Sequence, residues 1–172
     1  MSGFDFTKLK ILIVEDNVHF RTLVRTILET LGVHDIEEAL DGGEAMDVLK
    51  NFKADMAILD WKMDGVDGVE CVRRIRTGEG AANKFLPIIL CSGYSVARLK
   101  REALDAGVNA FLSKPISAKS LLSRITMVME QKLPFVEAGD YFGPDRRSRD
   151  KSFDGPDHRK KQAKLIPVGG ET

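Results

Sequence analysis

Short apolar runs alternate with helix-patterned segments along most of this chain, and that alternation is its strongest constraint. Leu9 to Val14 (LKILIV), Asp55 to Leu59 (DMAIL) and Pro87 to Cys91 (PIILC) are nearly continuous apolar runs, the pattern of strands buried on both faces. Asp35 to Leu40 and the brief Ala110 to Leu112 read as two further strands. Asn17 to Leu31 carries Val18, Phe20, Leu23, Val24, Ile27, Leu28 and Leu31 at helical spacing, with Asn17 able to cap it and Gly32 to end it. Gly43 to Phe52, a segment marked by Val69, Val72 and Ile75, Val96 to Ala106, and Ser117 to Gln131 supply the remaining helices. These β-α units predict an α/β fold: a doubly wound, five-stranded parallel sheet with helices on both faces.

In such sheets ligands gather beyond the carboxyl ends of the strands. The residues there are Glu15 and Asp16 after the first strand, Asp60 after the third, Cys91-Ser92-Gly93 after the fourth and Ser113-Lys114-Pro115 after the fifth. Three carboxylates in one cleft repel one another unless a cation compensates. A hard divalent ion with oxygen ligands suits them, and Mg²⁺ is the usual choice beside a phosphoryl group. A carboxylate can also accept a phosphoryl group, with Mg²⁺ and a lysine neutralising the transferring charge. A phosphatase of haloacid-dehalogenase type would want a second Asp two positions after its nucleophile, where this chain has Lys62. A flavodoxin would want a hydroxyl- and Gly-rich phosphate loop where Glu15-Asp16-Asn17 stands.

These motifs resemble the response-regulator receiver domain, the CheY-like fold of two-component signalling, from about Lys8 to Lys132. They are V-E-D after the first strand, D-W-x-M-x-x-x-D-G after the third, a Ser after the fourth and S-K-P after the fifth. The resemblance implies that Asp60 is the phosphoacceptor for a histidine kinase or phosphotransfer protein. It implies Mg²⁺ held by Asp16, Asp60, the backbone carbonyl of Lys62 and, through water, Glu15. Lys114 would pair with the phosphoryl group, with Lys114-Pro115 as a cis peptide. Ser92 would hydrogen-bond a phosphoryl oxygen, and Phe111 would be the switching aromatic. The chain would then be a single-domain response regulator, with at most autophosphatase activity, that signals to a downstream protein such as a motor or kinase component. Two positions depart from the family pattern. Asp64 stands after Met63 where the family often has Pro, and Lys62 puts a cation beside the phosphorylation site.

After Leu133 the periodicity stops, so the chain divides into a receiver domain, 1–133, and a flexible extension, 134–172. The extension is too short for a DNA-binding output domain. It holds an imperfect duplication: Tyr141-Phe142-Gly143-Pro144-Asp145-Arg146-Arg147-Ser148-Arg149, echoed by Phe153-Asp154-Gly155-Pro156-Asp157-His158-Arg159-Lys160-Lys161. Each copy is an aromatic, then G-P-D, then cations. Arginines bind phosphates and the guanine edge, and aromatics stack on bases. The unit is similar to the arginine-rich extensions of CheY-like effectors that bind cyclic di-GMP. By that likeness Tyr141, Phe142, Asp145, Arg146, Arg147, Arg149, Phe153, Asp157 and Arg159 would contact the nucleotide. Two alternatives stand beside it: a phosphorylation-independent scaffold whose basic tail docks on an acidic protein, and, less favoured because the tail's net charge is small, binding of RNA or single-stranded DNA.

Charge and cysteine content narrow the setting. Lys plus Arg equals Asp plus Glu at 26 each, which argues against bulk nucleic-acid binding. Cys71 and Cys91 are too few for a disulfide framework. With no signal peptide or run of about 18 apolar residues, a cytoplasmic protein without a transmembrane segment is expected.

Overall fold

The computed structural model describes residues 4–79, 83–93, 97–131, 133–146 and 164–166. After a 3-10 turn at Phe6–Lys8 the chain alternates: β1 (Lys10–Val14), α1 (Val18–Thr30), β2 (Asp35–Ala39), α2 (Gly42–Leu49), β3 (Met56–Asp60), α3 (Gly68–Thr77), β4 (Ile88–Ser92), α4 (Ala97–Ala106), β5 (Ala110–Ser113) and α5 (Ala118–Glu130). The apolar runs make β3 and β4 buried along their whole length. The strands pair in parallel in the order β2-β1-β3-β4-β5, so the expected doubly wound sheet is present.

Alternate residues of each strand feed opposite layers, as the two-residue period of a strand requires. Leu12, Val14, Ala57, Leu59, Ile88 and Leu90 pack with Val72 and Ile75 of α3 on one side. Ile11, Ile13, Met56, Ile58, Ile89 and Cys91 pack with Leu28 of α1 and Ile125 of α5 on the other. Burial of each such side chain contributes about 2 kcal/mol. Helix starts are fixed by side chains that accept an orphan backbone N–H: Asn17 from Phe20, Asp41 from Glu44, Asp67 from Glu70 and Ser117 from Ser120.

The expectation of a flexible extension from residue 134 onward does not hold for residues 135–146 and 164–166. β6 (Phe135–Ala138), β7 (Tyr141–Pro144) and β8 (Lys164–Ile166) form an antiparallel sheet of order β7-β6-β8. Gly139, at φ +61°, opens the two-residue turn of the β6–β7 hairpin, a left-handed position that favours glycine. Apolar contact holds the hairpin on the receiver. The rings of Phe85, Phe135 and Phe142 meet pairwise at 5.2–5.5 Å. β7 lies directly on the turn before β5, where a Cβ on Gly107 would stand 2.8 Å from the Phe142 carbonyl oxygen.

Below this hairpin lies a buried cation that sequence patterning leaves as an ordinary charged helix residue. Arg76 of α3 is 4% exposed. Its guanidinium donates to the carbonyls of Gly107 (2.9 Å), Lys84 (2.8 Å) and Leu86 (2.7 Å) and to Asn109 Oδ1 (2.9 Å). The Phe135 ring covers it at 4.9 Å. Burial lowers its pKa to about 9, since no carboxylate is among the hydrogen-bond partners just named.

Candidate functional site

The carboxyl edges of β1, β3, β4 and β5 bring the expected residues together. Glu15 and Asp16 follow β1 and Asp60 ends β3, and one oxygen from each lies within 4.8 Å of the others. Glu15 and Asp60 are buried, whereas Asp16 is exposed at the mouth. Lys114, which follows β5, reaches Asp60 Oδ1 at 2.9 Å and Glu15 Oε2 at 3.4 Å. Ser92 ends β4, is buried, and its carbonyl accepts from the Lys114 backbone N–H at 2.8 Å. Lys114-Pro115 is cis. Phe111 of β5 is half-buried, edge-on to Trp61 at 6.3 Å, with Lys100 Nζ 5.7 Å from its ring centroid.

Backbone contacts fix the loop after β3. The Trp61 N–H donates to the Cys91 carbonyl at 2.9 Å and the Gly68 N–H to the Trp61 carbonyl at 2.8 Å. Any side chain on Gly68 would collide with the Asp60 carbonyl, because its Cβ would stand 2.2 Å from that oxygen. Asp64 shows why its departure from the family pattern matters. Its backbone N–H donates to Asp16 Oδ2 at 3.3 Å, and a proline has no N–H to offer. The loop therefore holds the exposed carboxylate from behind. The Lys62 side chain is exposed.

The electrostatics are those of an anion cluster partly balanced by one ammonium. Burial pushes Glu15 up to about 7; the Asn17 N–H opposes this, Asp60 adds to it and Lys114 opposes it. Burial likewise raises Asp60, against the hydrogen bond and charge of Lys114. Lys114 is raised: burial lowers it, but Asp60 and then Glu15 outweigh that. Carboxyl groups held above their ordinary range signal room for more positive charge, and an all-oxygen donor set fits a hard divalent cation. Asp16, Asp60 and Glu15 would hold Mg²⁺ here. Cys91, by contrast, has its thiol pushed up by burial, as a buried apolar residue should.

The tail residues divide. Phe142 is packed between Phe85 and Phe135, with Lys84 Nζ 4.7 Å from its centroid, so its ring belongs to the fold rather than to a base-stacking surface. Tyr141 donates its hydroxyl to the Pro144 carbonyl at 2.9 Å. Arg146 lies 5.0 Å over the Tyr141 ring and 3.4 Å from Asp105. Asp145 donates its backbone N–H to the Pro134 carbonyl at 2.7 Å. Arg147, Arg149, Phe153, Asp157 and Arg159 lie outside the described residues. Among the described residues, no helix is long and apolar enough to cross a membrane.

Sequence reasoning missed two participants. Phe20 reads as an inward-facing helix residue, yet its ring faces the Lys114 ammonium at 3.9 Å. Arg76 gave no signal, because its partners come from loops that precede β4 and β5. The hairpin did leave one: apolar pairs Phe135-Val136 and Tyr141-Phe142 flank Gly139-Asp140, a turn bounded by strand formers.

Residues 11–126 match the response regulator receiver domain family. Chemotaxis protein CheY-3 of Vibrio cholerae is 33% identical over 123 residues, spanning 72% of this chain and 93% of the relative. Chemotaxis protein CheY of Pseudomonas aeruginosa is 32% identical, spanning 72% and 98%. Among solved structures, CheY4 of Vibrio cholerae superposes with a TM-score of 0.65 at 29% identity, covering 70% of this chain and 98% of that one. The receiver domain of a Pseudomonas aeruginosa sensor histidine kinase, described with a magnesium ion coordinated in its active-site cleft, superposes with a TM-score of 0.60 at 28% identity, covering 69% and 94%. The family match ends before β6, so the hairpin sheet lies beyond it.

Proposed function

The chain belongs to the response regulator receiver family, and from that premise we propose that it is a cytoplasmic phosphorylation switch with Asp60 as its phosphoacceptor. The single observation that carries this reading is the contact of Lys114 Nζ with Asp60 Oδ1 at 2.9 Å inside the carboxylate cluster. An ammonium at the Asp60 carboxylate is placed to follow the charge onto a phosphoryl group transferred there.

A histidine kinase or phosphotransfer protein presents a phosphohistidine. Asp60 Oδ2 attacks phosphorus, the P–N bond breaks as the P–O bond forms, and the imidazole leaves and takes up a proton. Lys114 moves with the charge from the carboxylate to a phosphoryl oxygen, and the Ser92 hydroxyl donates to another. Mg²⁺ held by Asp16, Asp60, the Lys62 carbonyl and, through water, Glu15 would draw charge off the transferring group. Attack of water on phosphorus reverses the modification and releases inorganic phosphate, the only catalysis assigned to the chain. The added charge biases Phe111 and the surface around it. A groove of about 410 Å³, lined by Lys100, Leu104, Phe111, Leu112, Arg124 and Met127 among others, opens there for a downstream protein.

Asp60→Asn is the test. With a small-molecule phosphodonor and Mg²⁺, the wild-type chain gains one hydroxylamine-labile phosphoryl group and the variant gains none. Equal labelling refutes Asp60, and no labelling of either favours the phosphorylation-independent scaffold.

A second reading concerns the cations after β7. Arg146 stacked over Tyr141 is the kind of flat cation–aromatic pair that takes phosphates and purine faces, and cyclic di-GMP is the ligand it suits. Calorimetric titration of the full chain and of Arg146→Ala tests it; the variant should lose most of the heat, and identical heats reject the reading.

A further inference from the structure

The Lys114 ammonium sits in a three-sided cage, of which the carboxylates are only two sides. Asp60 lies at 2.9 Å and Glu15 at 3.4 Å, and the face of the Phe20 ring closes the third side at 3.9 Å from Nζ to centroid. The side chain remains 26% exposed, so water could take the ring's place. Phe20 is fixed from behind. It lies in the first turn of α1, its backbone N–H donates to the Asn17 side chain at 3.0 Å, and it packs against the core layer beneath α1.

We infer that Phe20 is a positioning residue that keeps the Lys114 ammonium at Asp60 when the carboxylates turn toward a divalent cation. An ammonium is attracted to the negative face of a ring, and the attraction grows as water is excluded. A metal drawn to Glu15, Asp16 and Asp60 competes with Lys114 for the same oxygens and repels its charge. The ring face does not bind the metal in their stead, so it remains available to the ammonium throughout. Lys114 is then already beside the transferring phosphoryl group. Without the ring, the flexible lysine stem has one restraint fewer, and the ammonium spends more time in water.

This inference rests on Asp60 being the phosphoacceptor, and the experiment separates the two. Wild type, Phe20→Leu, Phe20→Met and Phe20→Tyr are compared with a small phosphodonor at saturating Mg²⁺. Mg²⁺ affinity is read from Trp61, the only tryptophan of the chain. Leu and Met retain apolar bulk but offer no π face, whereas Tyr keeps both. Phosphoryl uptake should slow by about two- to thirtyfold in the Leu and Met variants, the rate equivalent of a cation–π contact. It should stay within about twofold of wild type for Tyr. The upfield ring-current shift of the Lys114 side-chain protons, assigned by its loss in Lys114→Met, should vanish in Phe20→Leu and persist in Phe20→Tyr. Uptake by Phe20→Leu at the wild-type rate, or an equal loss in Phe20→Tyr, overturns the inference and leaves the receiver reading standing. No uptake by any of the proteins, wild type included, overturns both.

Discussion

Two cations sit at opposite ends of the same strand. Asn109, which binds Arg76, precedes β5, and Lys114 follows it. Arg76 is 4% exposed and meets neutral oxygens from two chain segments; Lys114 is 26% exposed and meets two carboxylates and a ring face. A planar guanidinium in a ring of acceptors is a fastener, since each of its three nitrogens is matched by a fixed oxygen. An ammonium on a flexible stem, sharing acid groups with a prospective metal, can exchange partners. Burial of a charge therefore serves two purposes in one domain. The partners, rather than the charge itself, decide which.

Swapping each cation for an uncharged chain of similar length should separate these roles. Arg76→Met leaves the carbonyls of Gly107, Lys84 and Leu86 without its donors, which should lower unfolding free energy by about 3–5 kcal/mol. Lys114→Met should cost less, about 1–2 kcal/mol, since the site is open to water at Lys114 and the carboxylates it leaves can take up protons, yet phosphoryl uptake should collapse. Urea denaturation beside a labelling assay reads both. Equal destabilisation by the two substitutions would erase the distinction.

The hairpin belongs to the fastened end. Phe135→Ala opens a cavity beneath the hairpin and uncovers Arg76, so a loss of about 3–4 kcal/mol is expected. Gly107→Ala, at φ +106° and with its Cβ 2.8 Å from the Phe142 carbonyl oxygen, should cost about 1–3 kcal/mol. If hydrogen exchange of α3 and β4 is unchanged in both variants, the hairpin is not part of the receiver's stability.

The poised end should respond to pH, more gently. Glu15 is raised in the folded chain to about 7 from an ordinary value of 4.5. The metal-free protein then holds a proton that the unfolded chain releases. Its stability contribution is full below about pH 4.5 and is lost as pH rises through about 7. Because Mg²⁺ must displace that proton, its affinity should climb with pH over the same interval and level off above it. Thermal melts with and without Mg²⁺ between pH 4.5 and 8 read this; a flat difference removes Glu15 from the linkage.

The two ends also differ in how far sequence revealed them. The strand-end site was legible because local pattern generates it: apolar runs place β1, β3, β4 and β5, and Glu15, Asp16, Asp60, Ser92 and Lys114 stand where those runs stop. The helix cap at Asn17 was legible for the same reason. The other end is built from long-range pairing. β8 joins β6 through Glu137 and Lys164, a pairing too far apart in sequence for local propensity to specify. Arg76 lies among charged neighbours Arg73 and Arg74 on α3, and only the arrival of the two loops before β4 and β5 and of Phe135 makes it a core residue. The duplicated aromatic–G-P-D–cation unit misled in part for a related reason. The Phe142 ring satisfies the pattern of a ligand contact, but its neighbours are Phe85 and Phe135.

Peptide mapping of the modified chain tests the central claim most directly. The full-length protein is treated with a small phosphodonor in Mg²⁺ or in excess chelator and digested at low pH, and the peptides are sequenced by mass spectrometry. The account predicts one phosphoryl group, on Asp60, present with Mg²⁺ and absent with chelator. A phosphoryl group on another side chain, or equal modification of Asp60 without the metal, would contradict it.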